Sequence, residues 1–165
     1  LTIGELQKVL SNLLKESVPI RDIVTILEIL GDYATLTKDT DMLTEYVRQR
    51  LKRVITERFV QGNIAKVITL DHEVEDIIIN SIRQNEYGTY AAIDPSTIQK
   101  IRNSLINLVN ELGMKGISPI VLTNPMVRLY FKRIIEDTIS FLPVISYNEL
   151  EQKVEVQSVG MVMLR

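Results

Sequence analysis

Asp71, Asp94 and Asn124 are the residues of this chain best placed to do chemistry. Each falls where a run of β-branched residues gives way to a helical period. In an open α/β sheet, ligands bind outside the carboxyl ends of the strands, and acidic groups gathered there could hold Mg²⁺. That arrangement would make the chain a small α/β enzyme or a Mg-dependent receiver using Asp71 and Asp94. Helix capping explains the same residues with less: Asp and Asn are favoured N-caps, and Pro95 and Pro125 suit the following position. A phosphate site would show a glycine-rich loop between strand and helix, and neither GxGxxG nor GxxxxGK[ST] occurs. Gly113 and Gly116 follow a helical period and are expected to close it. His72, the single histidine, opens a helix, where the positive end of the dipole disfavours its charged form. It has no HxxxH or HxxE partner, so an exposed histidine is expected. No catalytic residue, cofactor or metal site is assigned.

A basic run (Arg48, Arg50, Lys52, Arg53 and Arg58) suggests nucleic acid, but at about 100° per residue these side chains point in different directions. Glu45 and Glu57 lie among them, which favours a solvated, ion-paired helix or a protein interface. Tyr130, Phe131 and Phe141 are spaced for a core rather than for base stacking. The formal net charge of -2 creates no field that would gather nucleic acid or anionic lipid. The chain has no cysteine, which excludes disulfides, thiolate metal sites and a thiol nucleophile. No apolar run approaches the roughly 18 residues of a spanning helix. The chain starts at Leu1 without a signal-peptide pattern, so it is expected to be a piece of a longer protein with a membrane segment upstream.

The elements that carry these residues fall into two groups within 165 residues. Residues 1–61 read as a helical subdomain and residues 62–165 as a small α/β subdomain, an α+β or α/β fold overall. Leu6, Val9, Leu10, Leu13 and Leu14 form the stripe of a first helix. A second opens near Pro19, with Arg21, Thr25, Glu28 and Asp32 as a narrow polar stripe. Ile20, Ile23, Val24, Ile26, Leu27, Ile29 and Leu30 cover the rest, so this helix is expected to be buried on several sides. Asp39 caps a third, which buries Leu43, Tyr46, Val47, Leu51, Val54 and Ile55.

After Gln61-Gly62-Asn63 the pattern changes. Strands are expected at Lys66–Leu70, Tyr90–Ile93, Ile120–Thr123 and Val144–Tyr147. Helices are expected at His72–Arg83, Pro95–Leu112 and Pro125 to about Thr138. This alternation implies βαβ units around a mostly parallel sheet of about four strands. Val154–Leu164 lacks helical spacing and is expected to be an edge strand or hairpin partner.

The wording of several runs is more specific than their periodicity. IRDIVTILEILGDYA (Ile20–Ala34) and LTKDTDMLTEYVRQRL (Leu36–Leu51) resemble the cytoplasmic end of the FlhA family, the export gates of flagellar and virulence type III secretion systems. GELQKVLSNLLKESVPIRDIVTILE (Gly4–Glu28) is similar to the start of that family's third, helical cytoplasmic subdomain. KVITLDHEVED (Lys66–Asp76), SPIVLTNPMVRLYFKRIIED (Ser118–Asp137), LPVISYNEL (Leu142–Leu150) and VEVQSVGMV (Val154–Val162) resemble pieces of the fourth, α/β subdomain. His72 stands where TLDPE would carry a proline.

The resemblance implies an inner-membrane protein of bacteria whose cytoplasmic domains form a homo-oligomeric ring. The ring would receive chaperone–substrate complexes, helped by components of an export ATPase complex, with no enzymatic activity of its own. It implies ring contacts by the helical subdomain, membrane attachment through a segment outside this chain, and no nucleic-acid partner. A head-to-tail ring needs two different patches, and complementary charge is expected on them. Arg21, Asp22 and Glu28 on one helix, and Glu45, Arg48 and Arg53 on the next, are the candidate ring-interface residues. Exposed pairs contribute only about 0–1 kcal/mol each, so charge reversal at Arg48 and Glu28 is expected to weaken the ring without unfolding the chain.

Overall fold

A computed structural model describes residues Leu1–Arg165. The chain forms two compact units, one of Leu1–Phe59 with Asn148–Glu151, the other of Val60–Tyr147 with Gln152–Arg165. The return of Asn148–Glu151 to the helical unit has no counterpart in the hydrophobic spacing.

Four helices build the first unit: α1 (Ile3–Lys15), α2 (Ile23–Tyr33), α3 (Thr40–Arg50) and α4 (Lys52–Phe59). α1 starts at a capping box. The Glu5 N–H donates to Thr2 Oγ1 at 3.1 Å and the Thr2 N–H to Glu5 Oε1 at 2.8 Å. Each satisfies an amide the helix itself leaves open. α1 ends with Ser17 in the left-handed region at φ 61°, closed by the Val18 N–H donating to the Leu13 carbonyl at 3.0 Å. α2 starts four residues later than Pro19, with Asp22 as its cap, so Arg21 and Asp22 precede the helix instead of lying on it. Asp39 caps α3 as expected, accepting from the amides of Asp41 and Met42 at 2.9 and 3.4 Å. The expected third helix is α3 and α4, which meet at Leu51 while the i to i+4 bonds continue through it. Val9, Leu13, Ile26, Ile29, Leu30, Leu43, Val47 and Ile55 fill this unit's core.

α2 is not buried on several sides. Ile26, Ile29 and Leu30 face inward, but Val24 is 62% exposed and Leu27 44% exposed. A sequence pattern shows how wide an apolar surface is, and only packing shows how much of it neighbours cover.

In the second unit, β1 (Ile64–Leu70), β4 (Ile120–Thr123), β5 (Val144–Ser146) and β6 (Glu155–Val162) form one sheet in the order β5-β4-β1-β6. Every pair in it is parallel. The tail is therefore an edge strand, running parallel to β1. Between Ser158 and Gly160 the register slips by one residue. A Cβ on Gly160 would stand 2.9 Å from Leu108 Cδ2, so any larger residue there must displace the Leu108 side chain. Helices α5 (His72–Asn80), α6 (Pro95–Met114) and α7 (Arg128–Ile135) pack Val74, Ile78, Ile101, Leu105 and Phe131 against Ile68, Val121 and Val144. Gly116 at φ 74° closes α6, while Gly113 lies inside it.

Two expectations change here. The helix from His72 stops at Asn80, and Ile82–Asn85 is β2, paired antiparallel with β3 (Gly88–Ala91). The hairpin is a separate two-stranded sheet, so the strand expected at Tyr90–Ile93 is not part of the parallel sheet. Its turn is set by Asn85, whose side chain accepts from the Tyr87 N–H at 2.8 Å, and by Gly88 at φ 129°. α7 begins at Arg128 rather than Pro125. Asn124 Oδ1 accepts from the Met126 N–H at 2.9 Å, so it holds a turn ahead of the helix.

Candidate functional site

Asp71 and Asn124 follow β1 and β4, neighbouring strands of the parallel sheet, whereas Asp94 follows the hairpin. The two aspartates of the receiver reading therefore follow strands of different sheets. No group of three or more His, Cys, Asp or Glu side chains is placed to hold a metal ion. Neither Asp71 nor Asp94 caps its helix through its side chain. Asp94 instead accepts a hydrogen bond from the Ser96 hydroxyl, which holds its carboxyl below the usual range. His72 is exposed, as expected. At the end of β5, burial pushes the Tyr147 phenol up, and Glu75 adds to the shift.

Arg48 is the main surprise among the candidate interface residues. It is 1% exposed, and Glu149 is 0% exposed. Arg48 Nε donates to Glu149 Oε2 at 2.8 Å and Nη2 to Oε1 at 2.9 Å, a two-pronged pair that matches guanidinium to carboxylate. Glu16 adds a carboxylate oxygen 3.7 Å from Arg48 Nη1. The same short segment is held again by Thr56: its hydroxyl donates to the Glu149 carbonyl at 3.2 Å and accepts from the Glu151 N–H at 3.1 Å. Arg48 therefore lies inside the helical unit, and the expectation of a solvent-facing Arg48 on the contact stripe is corrected. Its partner stands 101 residues away, beyond anything helical spacing can reveal. Reversing this charge would now be expected to destabilise the unit, contrary to the expectation of a purely surface effect.

The other candidates remain accessible. Arg21, Asp22, Glu28 and Arg53 are exposed, and Glu45 is half-buried. Thr25 engages both oxygens of Asp22, through its N–H at 3.2 Å and its hydroxyl at 2.6 Å. These bonds hold the Asp22 carboxyl below its usual range. Arg53 reaches Glu57 at 3.4 Å across one helical turn, and Arg50 reaches Asp32 at 3.5 Å. The basic run is thus divided between an internal pair and exposed ion pairs, with no continuous face for tracking phosphates.

Phe131 is buried, but Phe141 is 76% exposed and does not belong to the core. Lys132 Nζ donates to the carbonyls of Ser140 and Leu142 at 3.1 and 3.0 Å. With Ile139 and Leu142 buried, this clamp leaves the intervening aromatic ring outward. No helix is long and apolar enough to cross a membrane.

Residues 1–155 match the FHIPEP family. The chain is 45% identical over 163 residues to flagellar biosynthesis protein FlhA of Bacillus subtilis, covering 98% of this chain and 24% of that protein. It thus spans about a quarter of the length of such relatives. Among solved structures, the Chlamydia pneumoniae CdsV and CdsO protein complex matches with a TM-score of 0.90 at 35% identity, over 99% of this chain and 48% of the other. Nonameric SctV-C from EPEC matches with a TM-score of 0.89 at 33% identity, over 98% and 49%. Sequence and fold agree along nearly the whole length, and the chain belongs to the FHIPEP family of type III secretion export-gate proteins.

Proposed function

We propose that this chain is a non-enzymatic assembly region of a type III export gate. In it, copies of the parent protein form a cytoplasmic ring that helps receive export substrates and their chaperones. The observation that carries the reading is the match over 98% of the chain to a relative solved as a nonamer. The relative solved as a complex with CdsO supports a second role, docking a partner protein of the export apparatus, for which a component of an export ATPase complex is our candidate. Attachment to the bacterial inner membrane would come from parts of the parent protein outside these residues.

The rival reading, a Mg-dependent receiver or small enzyme, has to work with Asp71 and Asp94 following strands of separate sheets. Purified full-length protein in detergent tests the assembly reading by electron microscopy: closed rings are expected, and dispersed monomers at all concentrations would contradict it. Calorimetry with millimolar Mg²⁺ and nucleotide is expected to show no stoichiometric heat. A saturable signal lost on Asp71→Ala would instead establish the rival.

A further inference from the structure

Asn148–Glu151 belongs to the helical unit, yet the chain on either side of it belongs to the other unit. The chain leaves β5 at Ser146 and enters β6 at Glu155, and these two strands are the opposite edges of the parallel sheet. Both ends of the segment are therefore brought to their places only once that sheet has formed.

Within the helical unit the segment is gripped at two helices. Arg48 of α3 holds the Glu149 carboxylate at 2.8 and 2.9 Å. Thr56 of α4 holds the Glu149 carbonyl at 3.2 Å and the Glu151 N–H at 3.1 Å. Leu150, between them, is buried. Arg48 and Thr56 are buried in turn, 1% and 5% exposed. The Glu16 carboxylate, 3.7 Å from Arg48 Nη1, is beyond hydrogen-bond range and does not replace Glu149. Removing one partner of a buried pair is strongly destabilising, and a unit of about 60 residues is only marginally stable by itself.

We infer that Asn148–Glu151 is a completeness check built into the fold. The helical unit closes only after the sheet unit has delivered this segment, so the two compact units fold and unfold as one. A copy whose synthesis stops before Glu149 keeps an open helical unit.

The chain has no tryptophan, so one can be placed in each unit in turn. Tyr46→Trp reports on the helical unit, where Tyr46 stacks on Tyr33 with ring centroids 4.5 Å apart. Tyr130→Trp reports on the sheet unit, against whose core Tyr130 packs. In urea, both probes are expected to give one fluorescence midpoint. Adding Glu149→Gln is expected to lower the midpoint of the helical probe by about 1 M or more while the sheet probe melts later. Ile26→Val weakens the helical core from α2, which makes none of these hydrogen bonds, and is expected to move both midpoints down together. Thr56→Val cuts the second grip and is expected to separate the transitions by less; it serves in place of Glu149→Gln if that variant does not fold. Separate midpoints in the parent chain, or coincident midpoints in the segment variants, would overturn the inference. A split produced by Ile26→Val would overturn it as well.

Discussion

Arg48 and Glu149 form a buried pair whose strength lies in mutual satisfaction. Each alone is a charge in a place that water does not reach, so Arg48→Met should destabilise the chain by about 3–5 kcal/mol in urea denaturation. Arg48→Met with Glu149→Leu should recover most of that loss, since paired apolar replacement removes the stranded charge. A double variant as unstable as the single would show that packing rather than charge dominates. Ser17 offers the opposite case. It holds φ 61° without being glycine, so Ser17→Gly should stabilise by about 1 kcal/mol by relieving the Cβ contact of the left-handed region. A lower denaturation midpoint would contradict that account.

Helix starts carry the acid sensitivity of these elements. Backbone and side-chain hydrogen bonds from Thr2 hold the Glu5 carboxyl below its ordinary value of 4.5, and Thr25 does the same for Asp22 below 3.8. A carboxylate depressed in the folded state contributes stability above its unfolded pKa and loses it as pH falls through the folded one. Stability should therefore fall as pH drops below 4.5, and Glu5→Gln should flatten that fall by removing the carboxylate that the Thr2 N–H holds. An unchanged acid profile in Glu5→Gln would show that the capping box contributes nothing to it.

Elements with strong local signals were legible in the sequence. The first-helix stripe, the Asp39 cap and the strand at Ile120–Thr123 all depend on residues adjacent in the chain. The hairpin was not, because Ile77–Ile79 continue a helical period into Ile82, and the Asn85–Gly88 turn that reverses the chain is a subtler signal. The Arg48 pair and the exposure of α2 depend on which segments meet, and one-dimensional spacing carries no such information. Family wording supplied what spacing could not.

At the scale of the whole molecule, the second unit resembles a ligand-binding α/β sheet in outline while its acidic residues are dispersed between two sheets. The helical unit keeps a large apolar surface on α2 that its own core does not use. An exposed apolar surface of this kind suits contact with other proteins. The most direct test removes the codons for residues 1–165 from the gene in its host, leaving the remainder in frame. Exported proteins in the culture medium are then measured alongside the membrane level of the truncated protein. The account predicts that export is lost while the truncated protein still reaches the membrane, and that supplying the intact gene restores it. Export at the parental level from cells lacking these residues would contradict it.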